Sequence, residues 1–200
     1  LNLQINTNGD FNMFGDYTIE EGGYNFTLYN IINKEFEILP ESKISWFGDP
    51  YEGVMDISAT YNQVASLLPI LTDTDLDYSK SPEIRRNYPV QVLLDIDGRL
   101  LSPQVEFDIT AENLPRNIQV PTISDASDIQ ETETVDLELS FAEFKNSIDE
   151  QELKRQVFSL IILKKFSPLQ SFNTGGSISS SVCELLSNLL SYWVTQVDEY

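Results

Sequence analysis

Histidine is missing altogether from these 200 residues, and cysteine occurs once. The first absence removes the commonest general base, the commonest metal ligand and the usual switch near neutral pH. Most catalytic constellations are thereby excluded. The lone Cys183 can form no intrachain disulfide, and its apolar, helix-like surroundings in sequence read as those of a small buried residue. Basic residues are scarce. Only 12 Lys and Arg stand against 32 Asp and Glu, a formal charge of −20, and such a surface repels phosphate backbones. Nucleic acid is therefore not an expected partner. No run reaches the roughly 18 to 20 apolar residues that cross a bilayer. No signal pattern precedes the strand-like opening LNLQINT, and there is no initiating Met. The chain is read as a piece of a longer protein, whose remainder is one of its partners and carries any targeting information.

What is present is enough to build a core, since 41% of the residues are apolar and 11% aromatic, unlike a disordered acidic chain. These residues recur with a period of two. In KISWFGDPYEGVMDISATY (Lys43–Tyr61), Ile44 and Trp46 share one side of a first run, and Met55, Ile57, Ala59 and Tyr61 one side of a second. Gly48-Asp49-Pro50 between them supplies a flexible residue, a side chain able to bond its own backbone, and a fixed φ. The same alternation is found in Leu1, Leu3 and Ile5, in Tyr17 and Ile19, in Tyr24, Phe26 and Leu28, and in Phe36 and Ile38. It continues in Tyr88, Val90, Val92, Leu94 and Ile96, and in Val105, Phe107 and Ile109. Reversals are expected at Asn8-Gly9-Asp10, at Glu20-Glu21-Gly22-Gly23 and at Asp97-Gly98.

The fold class expected is mainly β, an elongated antiparallel or mixed sheet with one wet and one dry side, followed by two C-terminal α-helices. A β domain would cover 1–141, with an irregular acidic loop at 72–87, a polar excursion at 110–134 and a last strand through Val135, Leu137, Leu139 and Phe141. A helical segment would cover 147–200. Its first helix, Glu150 to Phe166, would be capped by Ser147 and is apolar nearly all round, so that it needs cover on both sides. Its second would run from about Ser177 to the end.

Three motif matches carry little. Asn25-Phe26-Thr27 has the form of a glycosylation acceptor but lies inside a strand pattern. Asp73, Asp75 and Asp77 imitate the start of a calcium loop, yet Tyr78 stands where the loop needs Gly and Ile84 where it needs Glu. Asp95 and Asp97 resemble a glycosidase carboxylate pair. They alternate onto the polar side beside a turn, where solvation accounts for them. No catalytic residue, metal site or cofactor is expected.

Four segments, in order, carry a resemblance: GDYTIEEGGYNF (Gly15–Phe26), ISWFGDP (Ile44–Pro50) followed by MDISATY, VLLDIDGRLLSPQVEFDI (Val92–Ile109) and ELKRQVFSLIILKKF (Glu152–Phe166). Together they resemble the C-terminal domain of the TamB family, within the AsmA-like bridge proteins, over about three quarters of the chain. The resemblance implies a sheet curled into a taco-shaped apolar groove. It also implies residence in the Gram-negative periplasm as part of a protein anchored in the inner membrane, movement of phospholipid between the membranes, and support of outer-membrane protein assembly. The implied partners are phospholipid acyl chains and a BamA-like outer-membrane barrel protein. The polar stretches 72–87 and 110–134 depart from the family's pattern, and the chain stops before the family's last strand-like segment.

On this reading the groove is lined by Trp46, Met55, Ile57, Tyr61, Val90, Val92, Leu94, Ile96, Val105, Phe107 and Ile109. The energetics are consistent with such a wall. Extracting an acyl chain of about sixteen carbons from a bilayer costs on the order of 12 kcal/mol, at roughly 0.8 kcal/mol per CH₂. Only a continuous apolar trough offsets that. An alternative reading is a docking module that pairs a sheet edge with a strand of its partner by β-augmentation and binds no lipid itself.

Overall fold

A computed structural model describes residues 1–28, 32–73, 75–123 and 131–169. One antiparallel sheet of eight strands, not closed, contains β1 (Asn2–Ile5), β2 (Phe11–Ile19), β3 (Gly22–Leu28), β4 (Ile32–Ile38), β5 (Ser42–Gly48), β6 (Val54–Ser66), β7 (Asn87–Arg99) and β8 (Ser102–Ala111). A two-stranded sheet of β9 (Ile118–Pro121) and β10 (Thr132–Val135) follows, then α1 (Leu137–Ser147) and α2 (Glu150–Leu163). The chain forms two compact units. One comprises Leu1–Tyr61 and Val92–Asp108, the other Asn62–Gln91 and the described residues from Ile109 onward.

In the first unit the β1–β2 reversal falls where Asn8-Gly9-Asp10 was expected. Gly9 takes φ +86°, and the Asn6 side chain accepts hydrogen bonds from the backbone N–H of Asn8 and Asp10, both at 2.9 Å. The Glu-Glu-Gly-Gly stretch does not reverse the chain. β2 pairs with β5 and β3 with β4, so β2 and β3 run as successive strands against the returning β4 and β5. Neither Gly22 nor Gly23 has a positive φ; both lie in the ladder, opposite Ile38 and Glu37. Their missing side chains make room instead, because a Cβ on Gly23 would lie 2.7 Å from a Glu35 carboxylate oxygen.

The β5–β6 corner is built around an indole. Trp46 Nε1 donates to the Pro50 carbonyl at 2.9 Å, and Asp49 accepts from Tyr51 N at 2.9 Å at the head of a single 3-10 turn, Pro50–Glu52. Gly53 has no Cβ to oppose the ring, whereas one built there would lie 2.6 Å from Nε1. Gly53→Ala is expected to push the indole from its site and cost about 1–3 kcal/mol. The check is thermal unfolding together with a red shift of Trp46 emission in a Trp193→Phe background. At the far hairpin the reversal comes three residues later than Asp97-Gly98 suggested. Gly98, at φ +95°, lies within β7, and Leu100–Leu101 make the turn.

The second unit departs more from expectation. The acidic stretch 72–87 is not merely solvated, since Leu76 and Ile84 enter the core and Leu76 bridges to Thr122. Tyr88 is buried as well, its hydroxyl donating to the Glu83 carbonyl at 2.6 Å. Among its described residues the polar excursion contributes to strands, because β8 runs to Ala111 and β9 pairs with β10, burying Ile118 and Val120.

The expected strand through Leu137, Leu139 and Phe141 is instead α1. Asp136 caps it, accepting from Leu139 N at 3.0 Å. Leu137, Phe141 and Phe144 then fall inward at i, i+4 and i+7, leaving Leu139 58% exposed. The alternating reading had Leu139 inside. At α2 the cap is Asp149, accepting from Glu152 N at 2.8 Å, while Ser147 donates to the Phe144 carbonyl and closes α1. Seven successive residues of α2, Arg155 to Ile161, are buried, so the helix is covered all round as its composition requires. Lys164 ends it at φ 56°, its N–H donating to Leu160 O. Phe141, Phe144 and Phe166 form an aromatic cluster with centroids 5.9–6.4 Å apart. The expected second C-terminal helix and Cys183 lie outside the described residues. No described helix is long and apolar enough to cross a membrane.

Candidate functional site: the apolar face of the first unit

Directly paired residues of an antiparallel ladder project to the same side of a sheet, so the registers say which residues share a face. Leu3 pairs with Met13, Tyr17 with Ile44, and Ile44 in turn with Met55. Further along, Ile38 pairs with Ala59 and Tyr24 with Phe36. Phe36 meets Tyr61 at 5.6 Å between ring centroids, with the Lys34 ammonium 5.9 Å over the Tyr61 ring. One side of the sheet is thus apolar from β1 to β6. The other is polar. There Lys43 pairs with Asp56 at 3.4 Å, Ser45 donates to Asp16 at 2.6 Å, and Ser58 donates to Asp95 at 2.5 Å.

That division accounts for Asp95 as a polar-face acceptor, while Asp97 accepts from the N–H of Gly98 at 2.6 Å. Among the described residues no group of ligands could hold a metal ion.

The sequence-derived lining residues do not all share one setting. Trp46, Met55, Ile57, Tyr61, Val92, Leu94, Ile96, Val105 and Phe107 belong to the first unit, Val90 and Ile109 to the second. Met55, Ile57, Tyr61, Ile96, Val105 and Phe107 are half-buried. Val90, Val92 and Ile109 are fully covered by the chain, and Trp46 and Leu94 nearly so. The register brings Trp46, Met55, Ile57 and Tyr61 onto one face. It adds residues that were not among the expected lining, namely Leu3, Met13, Tyr17, Tyr24, Phe36 and Ile44. Of these, Leu3 and Tyr17 remain more than half exposed. The signal for them lies in strand pairing across tens of residues, which no single run displays.

The family described as TamB C-terminal domain matches residues 1–199. This chain belongs to that family. No curated protein and no solved structure matches it. TamB-family membership makes the chain a TamB-like module in outer-membrane biogenesis. The TamB family is a non-enzymatic bridge and assembly component of the Gram-negative envelope. A sheet with one continuous apolar face is in keeping with that class.

Proposed function

We propose that the apolar face of the first unit is a wall along which phospholipid acyl chains pass between inner and outer membrane, in the periplasm, within a longer protein anchored in the inner membrane. The observation that carries this reading is the register. It places Tyr17, Ile44 and Met55 side by side across three strands, and none of the three is buried. An apolar surface of this extent is costly to leave in water, and a hydrocarbon guest relieves that cost. The opposite face carries Asp16, Asp56 and Asp95 and a smaller apolar group, Phe14, Phe47 and Val54.

The test is native mass spectrometry of gently purified protein. Wild type should carry phospholipid, and Met55→Arg should carry little while remaining folded. Lipid-free wild type, or equal loading of both, would contradict the proposal.

One observation favours a second reading. β1 pairs on one side only among the described residues, and all four of its residues are exposed, so its other edge is open to a partner strand. If a BamA-like partner docks there, Leu3→Pro, which takes a backbone N–H from that strand, should weaken its binding, while Leu3→Ala, which keeps the N–H, should not.

A further inference from the structure

The second unit contains a half-open cavity of about 330 Å³, near the lower end of ligand-pocket sizes. Its floor is apolar, formed by Ile70, Leu76, Val135 and Phe144. Four carboxylates line it as well: Asp73, Glu133, Asp136 and Glu143. None of its lining residues is Lys or Arg. Two of the acids have structural tasks, Asp136 capping α1 and Asp73 accepting from Asp75 N at 2.9 Å. Glu133 and Glu143 are exposed and have no hydrogen-bond or ion-pair partner among the described residues. Tyr78 stands in the same wall; burial first, then the Asp73 carboxylate, raises its phenol above the ordinary value, so the ring stays neutral beside the acids. Leu139, 58% exposed, also lines the cavity.

We propose that this cavity docks a basic, amphipathic polypeptide segment, its aliphatic side chain seated on the apolar floor and its Lys or Arg held by Glu133 and Glu143. Charge selects this occupant over others. Residues 170–200 contain no Lys or Arg, so this chain's own end supplies no cation for the pair. A second copy brings another net −20. A phospholipid headgroup brings a phosphate against four carboxylates. A cationic peptide brings no anion, and its neutralised carboxylates lie beside an aromatic ring able to take a cation on its face. The site is separate from the sheet face assigned to lipid and stands whether or not that assignment does.

The experiment uses the whole chain and a labelled pentapeptide, Leu-Arg-Leu-Lys-Leu, with Leu-Glu-Leu-Glu-Leu and phosphatidylethanolamine vesicles as comparison probes. The basic peptide should bind saturably and shift the amide resonances of Val135, Leu139 and Phe144. Added salt should weaken it, because the pair is partly exposed. Glu133→Gln with Glu143→Gln should weaken it about tenfold, with the melting temperature unchanged. Leu139→Ser, which leaves every charge in place, should weaken it by a smaller factor. Equal binding of the acidic peptide, undiminished binding by the double variant, shifts elsewhere only, or protection by vesicles but not peptide would each overturn the proposal.

Discussion

Aspartate in place of Val92 is expected to prevent folding, whereas arginine in place of Ile57 leaves a folded protein that no longer carries lipid. Both residues belong to the dry side in the sequence, but their surroundings differ. Val92 is 0% exposed, so its replacement buries a carboxylate. That costs several kcal/mol even after relaxation, against a total stability of about 5–15 kcal/mol. Ile57 is half-buried, two residues from Met55 and Ala59 on the same side of β6. A long arginine there can lay its methylenes on neighbouring apolar surface and turn its guanidinium to water, at a cost of about 1 kcal/mol. Circular dichroism and urea unfolding distinguish the two outcomes. Val92→Asp with wild-type stability, or Ile57→Arg with undiminished lipid, would contradict the assignment of covered and open positions.

The second large effect lies in α2. Arg155 is 6% exposed and donates to both Glu152 carboxylate oxygens, at 2.7 and 2.5 Å, to Ser167 Oγ at 2.9 Å and to the Pro168 carbonyl at 3.1 Å. Beside it the Gln156 amide donates to the Ser167 carbonyl at 2.8 Å and accepts from Ser167 N at 2.9 Å. These two side chains satisfy the buried backbone that follows the helix and hold it against α2. Arg155→Met leaves Glu152 partly buried without its cation and the Pro168 carbonyl without that donor, and should cost about 3–5 kcal/mol. For a chain of this size the melting temperature should fall by about 6–20 °C. Replacing Glu152 by Gln in the same protein should return part of the loss, since the stranded charge is then gone. Additive losses in the double variant would show that the pair is not coupled.

Most of the sheet was legible because alternation is local. Runs such as Met55-Asp56-Ile57-Ser58-Ala59 and Val90-Gln91-Val92-Leu93-Leu94 declare their own faces. The errors came where a local signal had two physical meanings. Gly22-Gly23 reads as a turn by composition, yet the pair serves to admit Ile38 and Glu35 side chains across the ladder. Val135, Leu137, Leu139 and Phe141 satisfy a period of two, but Leu137, Phe141 and Phe144 satisfy the helical period equally, and Asp136 decides between them as a cap. Ser147 and Asp149 compete for one helix start, and the carboxylate takes it. Leu76, Ile84, Ile118 and Val120 lie singly or in pairs among polar neighbours, so no periodicity exposes them as core. The candidate face itself was read strand by strand. Its extent across β1, β2, β5 and β6, and the full covering of Val90, Val92 and Ile109, depend on pairings and packing distant in sequence.

A photo-crosslinking amino acid placed singly at four neighbouring positions of the sheet, in the full-length protein within the intact envelope, tests the central claim most directly. Ile44 and Ile57 belong to the apolar side, Ser45 and Asp56 to the polar side of the same two strands. Phospholipid should be captured at 44 and 57 and not at 45 and 56. Capture at all four alike, or at none, would contradict the account.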